Sequence, residues 1–368
     1  MEKVRAFLAR KNITFSAKRY FIDAMSAMAQ GLFCTLLVGT ILDTIGKQFG
    51  IGFLTDTFLT IKQCDVTFYY TIGGFCSLMV GPAMAVAIGN ALQAPPLVLF
   101  SLITVGFATN VLGGTGGPLA VFFVAILAAE VGKAVSKETK IDILVTPIVT
   151  ILAGIGFAAL VARPIGTAAT SVGDAIKWAT ELQPFFMGIL VSVIIGVALT
   201  LPISSAAICA SLGLTGLAGG AAVAGCCAQM VGFAIMSFRE NRWGGLVAQG
   251  IGTSMLQMGN IVRNPRVWIP PTLASAITGP LATCLFRLEM NGAPVSSGMG
   301  TCGLVGQIGV YTGWVSDVAA GAKAAVTGMD WLGLVLISFV LPAVLTWLIA
   351  VPLRKWGWIK DGDLKLDL

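Results

Sequence analysis

Residues 66–129 contain no Asp, Glu, Lys or Arg, and neither do residues 182–238. A helix rises about 1.5 Å per residue and a bilayer's hydrocarbon core is about 30 Å thick, so each run must cross or re-enter a membrane more than once. A single anchor helix is excluded. Only 11% of the chain is charged, where soluble domains carry about a quarter. The long apolar runs lack strand alternation, and backbone groups inside a membrane must bond internally. The reading is an all-α polytopic membrane protein with roughly 8–10 crossings.

Charge then orders the chain. Lys3, Arg5, Arg10, Lys11, Lys18 and Arg19 face one acid within the first twenty residues. The apolar run behind them is full length and has no clear cleavage site, so residues 1–19 read as a basic interfacial arm rather than an export signal. Basic residues flanking a span stay in the cytoplasm. The arm is accounted for by that alone, without nucleic acid. Spans are expected over 20–45, 66–92, 95–110, 118–133, 143–162 and 184–201. The loop holding Lys133, Lys137 and Lys140 then falls on the arm's side. Residues 163–183 mix charge with small apolar residues and predict an amphipathic connector between a first bundle (20–162) and a second (184–353). Lys355 and Lys360 place the tail, 354–368, in the cytoplasm as well. Trp331, Trp347, Trp356 and Trp358 suit an interfacial belt.

Two Gly-rich stretches, 203–238 and 294–314, are expected to be re-entrant hairpins. They share an opening: Pro202-Ile203-Ser204-Ser205 with Cys209 recurs as Pro294-Val295-Ser296-Ser297 with Cys302. Weak repeats of Gly/Pro-broken helices mark midplane sites in secondary transporters. Gly298, Gly300 and Gly303 fit a dinucleotide fingerprint, but no strand precedes them. They read instead as an unwound tip whose backbone can face a ligand. Residues 113–118 are either such a tip or a plain turn.

Polar groups inside uncharged stretches each need a partner or a wet cavity. Ser204, Ser205, Gln229, Gln257, Asn260, Gly298, Gly300, Thr301 and Gln307 are the expected solute site, with Gln249 a further polar candidate. Amides and hydroxyls donate and accept, which suits a neutral polar solute; interhelical bonding is the competing role. Ser101 and Thr150 are placed on scaffold helices. Glu130 follows the charge-free run and lies one turn from Lys133, which predicts an ion pair. The eight cysteines fall mostly in apolar stretches and read as packing, including the adjacent Cys226 and Cys227, whose other reading is redox. The chain has no histidine, so zinc sites with His ligands and His-based catalysis are excluded. No cofactor or metal is expected.

Several strings resemble the EIIC-type membrane proteins of the phosphotransferase system, in the branch named after the perfringolysin O regulator. They are Gly81-Pro82-Ala83-Met84-Ala85-Val86-Ala87, Ala94-Pro95-Pro96-Leu97-Val98 and the run from Gly225 through Cys226, Cys227 and Gln229 to Phe233. Ser237-Phe238-Arg239-Glu240-Asn241, the run from Asn264 to Pro271 and Gly298-Met299-Gly300-Thr301-Cys302-Gly303-Leu304 extend the likeness. The resemblance implies a homodimeric protein of the bacterial cytoplasmic membrane, with a scaffold and a mobile substrate bundle. It also implies a sugar or related solute, phosphorylated with the help of separate EIIB and EIIA proteins. The chain departs from the pattern in lacking a fused EIIB or EIIA domain and a Gly-Ile-Thr-Glu type sugar motif. Two further readings stand beside the permease: a transporter of this fold uncoupled from phosphorylation, and a membrane sensor.

Overall fold

Long runs of Ala, Leu, Ile, Val and Gly satisfy their backbone within each segment only as helices, and helices dominate the computed structural model. It describes residues 2–63 and 66–366. Cys64 lies outside the described residues, as do Met1, Asp65 and residues 367–368. Among the described residues, five helices are long and apolar enough to cross a membrane, six if a bent pair counts as one span. One of the five, Pro96–Val135, is two helices, Pro96–Gly113 and Gly117–Val135, joined by the turn Gly114–Gly116. Gly114 sits at φ 53°, the left-handed region that favours glycine. The chain divides into two compact units, Met1–Ala168 and Ala169–Leu368.

In the first unit the Lys18–Lys47 helix is followed by a feature that the sequence reading missed. Residues 66–70 do not begin a span. They form the strand Val66–Tyr70, paired antiparallel with Leu59–Gln63. Val, Thr, Phe and two Tyr in succession favour extended backbone, and absence of charge alone does not distinguish strand from helix. The helical pair Ile72–Leu78 and Val80–Ala91 comes next, bent by 50°. Close packing in this unit rests on bare backbone. A Cβ on Gly81 would lie 2.2 Å from the Gly106 carbonyl oxygen, and one on Gly106 would lie 2.4 Å from that of Gly81. Small residues let membrane helices approach this closely.

The helix Asp142–Thr180 runs through Pro147 and Pro164 without a break. Its 39 residues span about 58 Å, well beyond the hydrocarbon core. The connector expected over 163–183 therefore continues the preceding helix to Thr180 instead of forming a separate element.

The second unit is built around the helix Gly216–Met236. Of its membrane-length window 89% is buried, against 22% for Asp142–Thr180. A helix apolar all round belongs inside a bundle. Pro184–Thr200, Ile269–Pro280 and Leu341–Lys355 surround it. A Cβ on Gly225 would lie 1.9 Å from the Ser192 carbonyl oxygen, and one on Gly220 would lie 1.7 Å from that of Leu288.

The stretch expected as a hairpin over 203–238 has unequal arms. Ser205–Ser211 is a short helix; the turn passes Gly213 and Gly216, both at positive φ, and the second arm is the 21-residue central helix. That arm is about 31 Å long, enough to cross alone. Around 294–314 a 3-10 turn, Pro294–Gly298, and left-handed Gly303 and Leu304 lead into the helix Val305–Ala319.

Candidate functional site

The two Pro-x-Ser-Ser openings meet. Ser205 Oγ donates to the carbonyl oxygen of Gly298 at 2.8 Å, and Ser297 Oγ donates to that of Leu214 at 2.7 Å. These serines occupy the same place in their respective motifs, and each bonds into the other's segment. Both are buried. Ser204 acts locally instead, its hydroxyl accepting from the Ala207 amide at 3.2 Å and so capping the short helix.

The central helix forms the floor beneath this clasp. Cys226 Sγ lies 4.0 Å from the Ser297 carbonyl oxygen. A Cβ on Gly300, itself at φ 53°, would come within 2.6 Å of Cys226 Cβ. At Gly298 it would stand 2.6 Å from the Ser205 carbonyl oxygen. Gly298 and Gly300 of the expected tip are therefore needed for close approach, and Gly300 also for backbone conformation. Thr301 Oγ1 reaches Met230 Sδ at 3.6 Å. Gln307 Nε2 donates to Cys227 Sγ at 3.3 Å, whereas its Oε1 is buried without a hydrogen-bond partner among the described residues. A buried acceptor left unmade costs more than an average hydrogen bond gains. This oxygen can accept from a solute's hydroxyl or amine.

Gln229 belongs to an adjacent polar group. Its Oε1 accepts from Trp268 Nε1 at 2.9 Å, and its Nε2 donates to Thr272 Oγ1 at 3.3 Å. Thr200 joins it at 3.4 Å and contacts Ser254 at 2.8 Å. Thr200, Ser254, Trp268 and Thr272 escaped the sequence reading, because single hydroxyls and an indole among apolar residues give no distinct signal. Ser297 was detectable: it is the counterpart of Ser205 in the repeated motif.

Gln257 and Asn260 do not join the tips. Gln257 Nε2 donates to Gln249 Oε1 at 2.8 Å and to the Leu364 carbonyl oxygen at 3.0 Å. Asn260 Nδ2 donates to Gln257 Oε1 at 2.7 Å and to the Lys365 carbonyl oxygen at 2.9 Å. Asn241 completes this cradle by donating to the Leu364 carbonyl oxygen at 2.7 Å and accepting from the Leu366 amide at 2.8 Å. These amides bind the chain's own tail, whose backbone can use the same groups a solute would. Cys226 and Cys227 are buried and free, and they point at different neighbours, as successive helix positions must.

In the first unit the expected pair forms, with Lys133 Nζ 2.8 Å from Glu130 Oε2. Tyr20 donates to Glu130 Oε1 at 3.0 Å, while Lys133 also donates to the carbonyl oxygens of Asn12 and Leu92 at 3.0 and 3.1 Å. The ammonium thus combines one ion pair with two backbone hydrogen bonds. It reads as a structural fastening.

Compared with known proteins, residues 22–366 match the family model described as phosphotransferase system, EIIC. No curated protein and no solved structure matches.

Proposed function

The chain belongs to the phosphotransferase system EIIC family, and from that premise we propose that it is a permease moving a sugar or related small polar solute by alternating access. Membership makes it a multi-pass membrane transporter component associated with that system. The observation that carries the finer reading is the reciprocal serine clasp. Two corresponding hydroxyls, each bonded to the other segment's backbone, can exchange those bonds for bonds to a solute at little net cost. The unpartnered Gln307 oxygen adds an acceptor, and Thr301 and Gln229 add further polar groups. In this reading the Gly-rich segments are re-entrant and part when the solute enters. The proposal includes both termini in the cytoplasm of a bacterium, a homodimer, and separate EIIB and EIIA proteins for any phosphoryl transfer.

The test is uptake and binding by purified protein in proteoliposomes, with a solute first found by thermal-shift screening of a sugar and metabolite panel. Ser205→Ala and Ser297→Ala each remove one hydrogen bond of about 0.5–1.5 kcal/mol. Affinity or uptake rate should change about twofold to tenfold. Ser101→Ala, which removes a hydroxyl that donates within its own helix to the Leu97 carbonyl oxygen, should leave both unchanged. If Ser101→Ala abolishes uptake while both clasp variants transport normally, the site is wrongly placed.

A further inference from the structure

We propose that a cleft in the second unit, where the helices Gly216–Met236 and Gly328–Lys355 end, is a site for a phospholipid with an anionic head group. One acyl chain would lie along Ile235, Phe238, Leu246, Trp347 and Val351, and the phosphate would meet Arg239 and Lys355. The cleft has a volume of about 710 Å³, within the roughly 300–1,000 Å³ typical of built small-molecule sites. Its wall is apolar, yet Arg239, Arg354 and Lys355 also line it.

The three cations are not equivalent. Arg354 is already engaged: its guanidinium donates to the Met236 carbonyl oxygen at 2.9 Å and pairs with Glu240 and Asp361, each at 3.1 Å. Arg239 and Lys355 are exposed and form no ion pair among the described residues. Charge at the mouth is therefore uncompensated on the side away from Glu240. A second, more polar cavity of about 390 Å³ shares Arg239 and adds Arg242. The two acids there, Glu240 and Asp361, are those held by Arg354. An apolar slot thus adjoins, through Arg239, a polar one whose two arginines face two acids already paired with Arg354, the division a phospholipid has between chain and phosphate.

Depth agrees with this occupant. Both helices reach membrane length and end within a few residues of the cations. Trp243 and Trp347 are 71% and 55% exposed, as indole rings at the headgroup level are. A soluble anion would find the polar slot but would make no use of the apolar wall. A soluble protein partner would have to place an apolar segment at membrane depth.

The experiment uses the full chain in phosphatidylcholine vesicles doped with phosphatidylglycerol. Dibrominated acyl chains on one lipid or the other quench tryptophan on contact, and the Trp243→Phe/Trp347→Phe variant isolates the signal of the cleft. A cation near the membrane surface attracts anionic lipid about fivefold. Phosphatidylglycerol should therefore displace phosphatidylcholine from the cleft with at least about that preference, and Arg239→Gln/Lys355→Gln should abolish it. Both side chains are exposed, so the variant keeps its fold, and unchanged thermal unfolding verifies this. Equal quenching by the two lipids, or a preference that survives the double substitution, overturns the proposal. Displacement by inorganic phosphate does so too, since it would make this a soluble-anion site.

Discussion

In the first unit an ion pair joins elements far apart in the chain, whereas the contacts that join the two Pro-x-Ser-Ser motifs of the second are neutral. Lys133 and Glu130 form an ion pair, Tyr20 donates to the carboxylate, and two backbone carbonyls accept from the ammonium. Ser205, Ser297, Thr301 and Gln307 use hydroxyl and amide groups, bonded to backbone carbonyls, a thioether and a thiol. Removing one partner of a buried ion pair strands a charge, so such a pair resists exchange. A hydroxyl bonded to a carbonyl gives up about 1 kcal/mol and can be rebonded to something else. Rigid fastening and exchangeable contact are therefore written in different chemistry.

Lys133→Met is the most severe test of this contrast. It leaves Glu130 buried beside an apolar group and should cost about 3–5 kcal/mol, read as a lowered unfolding temperature in detergent. Glu130→Gln/Lys133→Met should recover most of the loss. If the single and double variants are equally unstable, the pair is not what fastens this unit.

Gly220→Ala asks whether the second unit, despite its neutral contacts, is packed as tightly. The new methyl would stand 1.7 Å from the Leu288 carbonyl oxygen, and overpacking should cost about 1–3 kcal/mol. Gly156→Ala, with nothing within 4 Å of its new Cβ, should be neutral in the same unfolding assay. Equal stability of the two variants would show that the second unit yields where the structure says it cannot.

The smallest effect belongs to the arm. Glu138, outside the spans, is held below the usual carboxylate range, chiefly by the hydrogen bond from Lys11 and further by Arg10. A carboxyl lowered on folding contributes stability above its unfolded value and loses it as pH falls through the folded one. The group is exposed, so salt should weaken the same contact. A nitroxide at Ala9→Cys, with the other exposed cysteines replaced, should report a more mobile arm only in acid or high salt. Loss of arm order on raising the pH from neutrality would contradict the sign.

Much of this was readable without coordinates. The Glu130–Lys133 pair follows from one helical turn of spacing, and the turn at Gly114 from glycines between two span-length apolar runs. Local signals fail where two structures satisfy the same composition. Residues 66–70 are equally uncharged as strand or helix, and mixed charge over 163–183 does not distinguish a separate amphipathic connector from continuation of the preceding helix to Thr180.

The site divides along the same line. The chain's own composition determined a multi-pass helical protein with its polar candidates concentrated in the second half, because burying a charge or an open backbone in hydrocarbon costs too much for any alternative. Which of those candidates share a site was decided only by tertiary contact. Gln257 and Asn260 look no different in sequence from Gln307, but their partners, Leu364 and Lys365, lie about a hundred positions away. The tail satisfies those two amides, whereas the Gln307 oxygen stays unmet. A hydrogen bond depends on what the fold brings within about 3 Å, and no local pattern of residues records that.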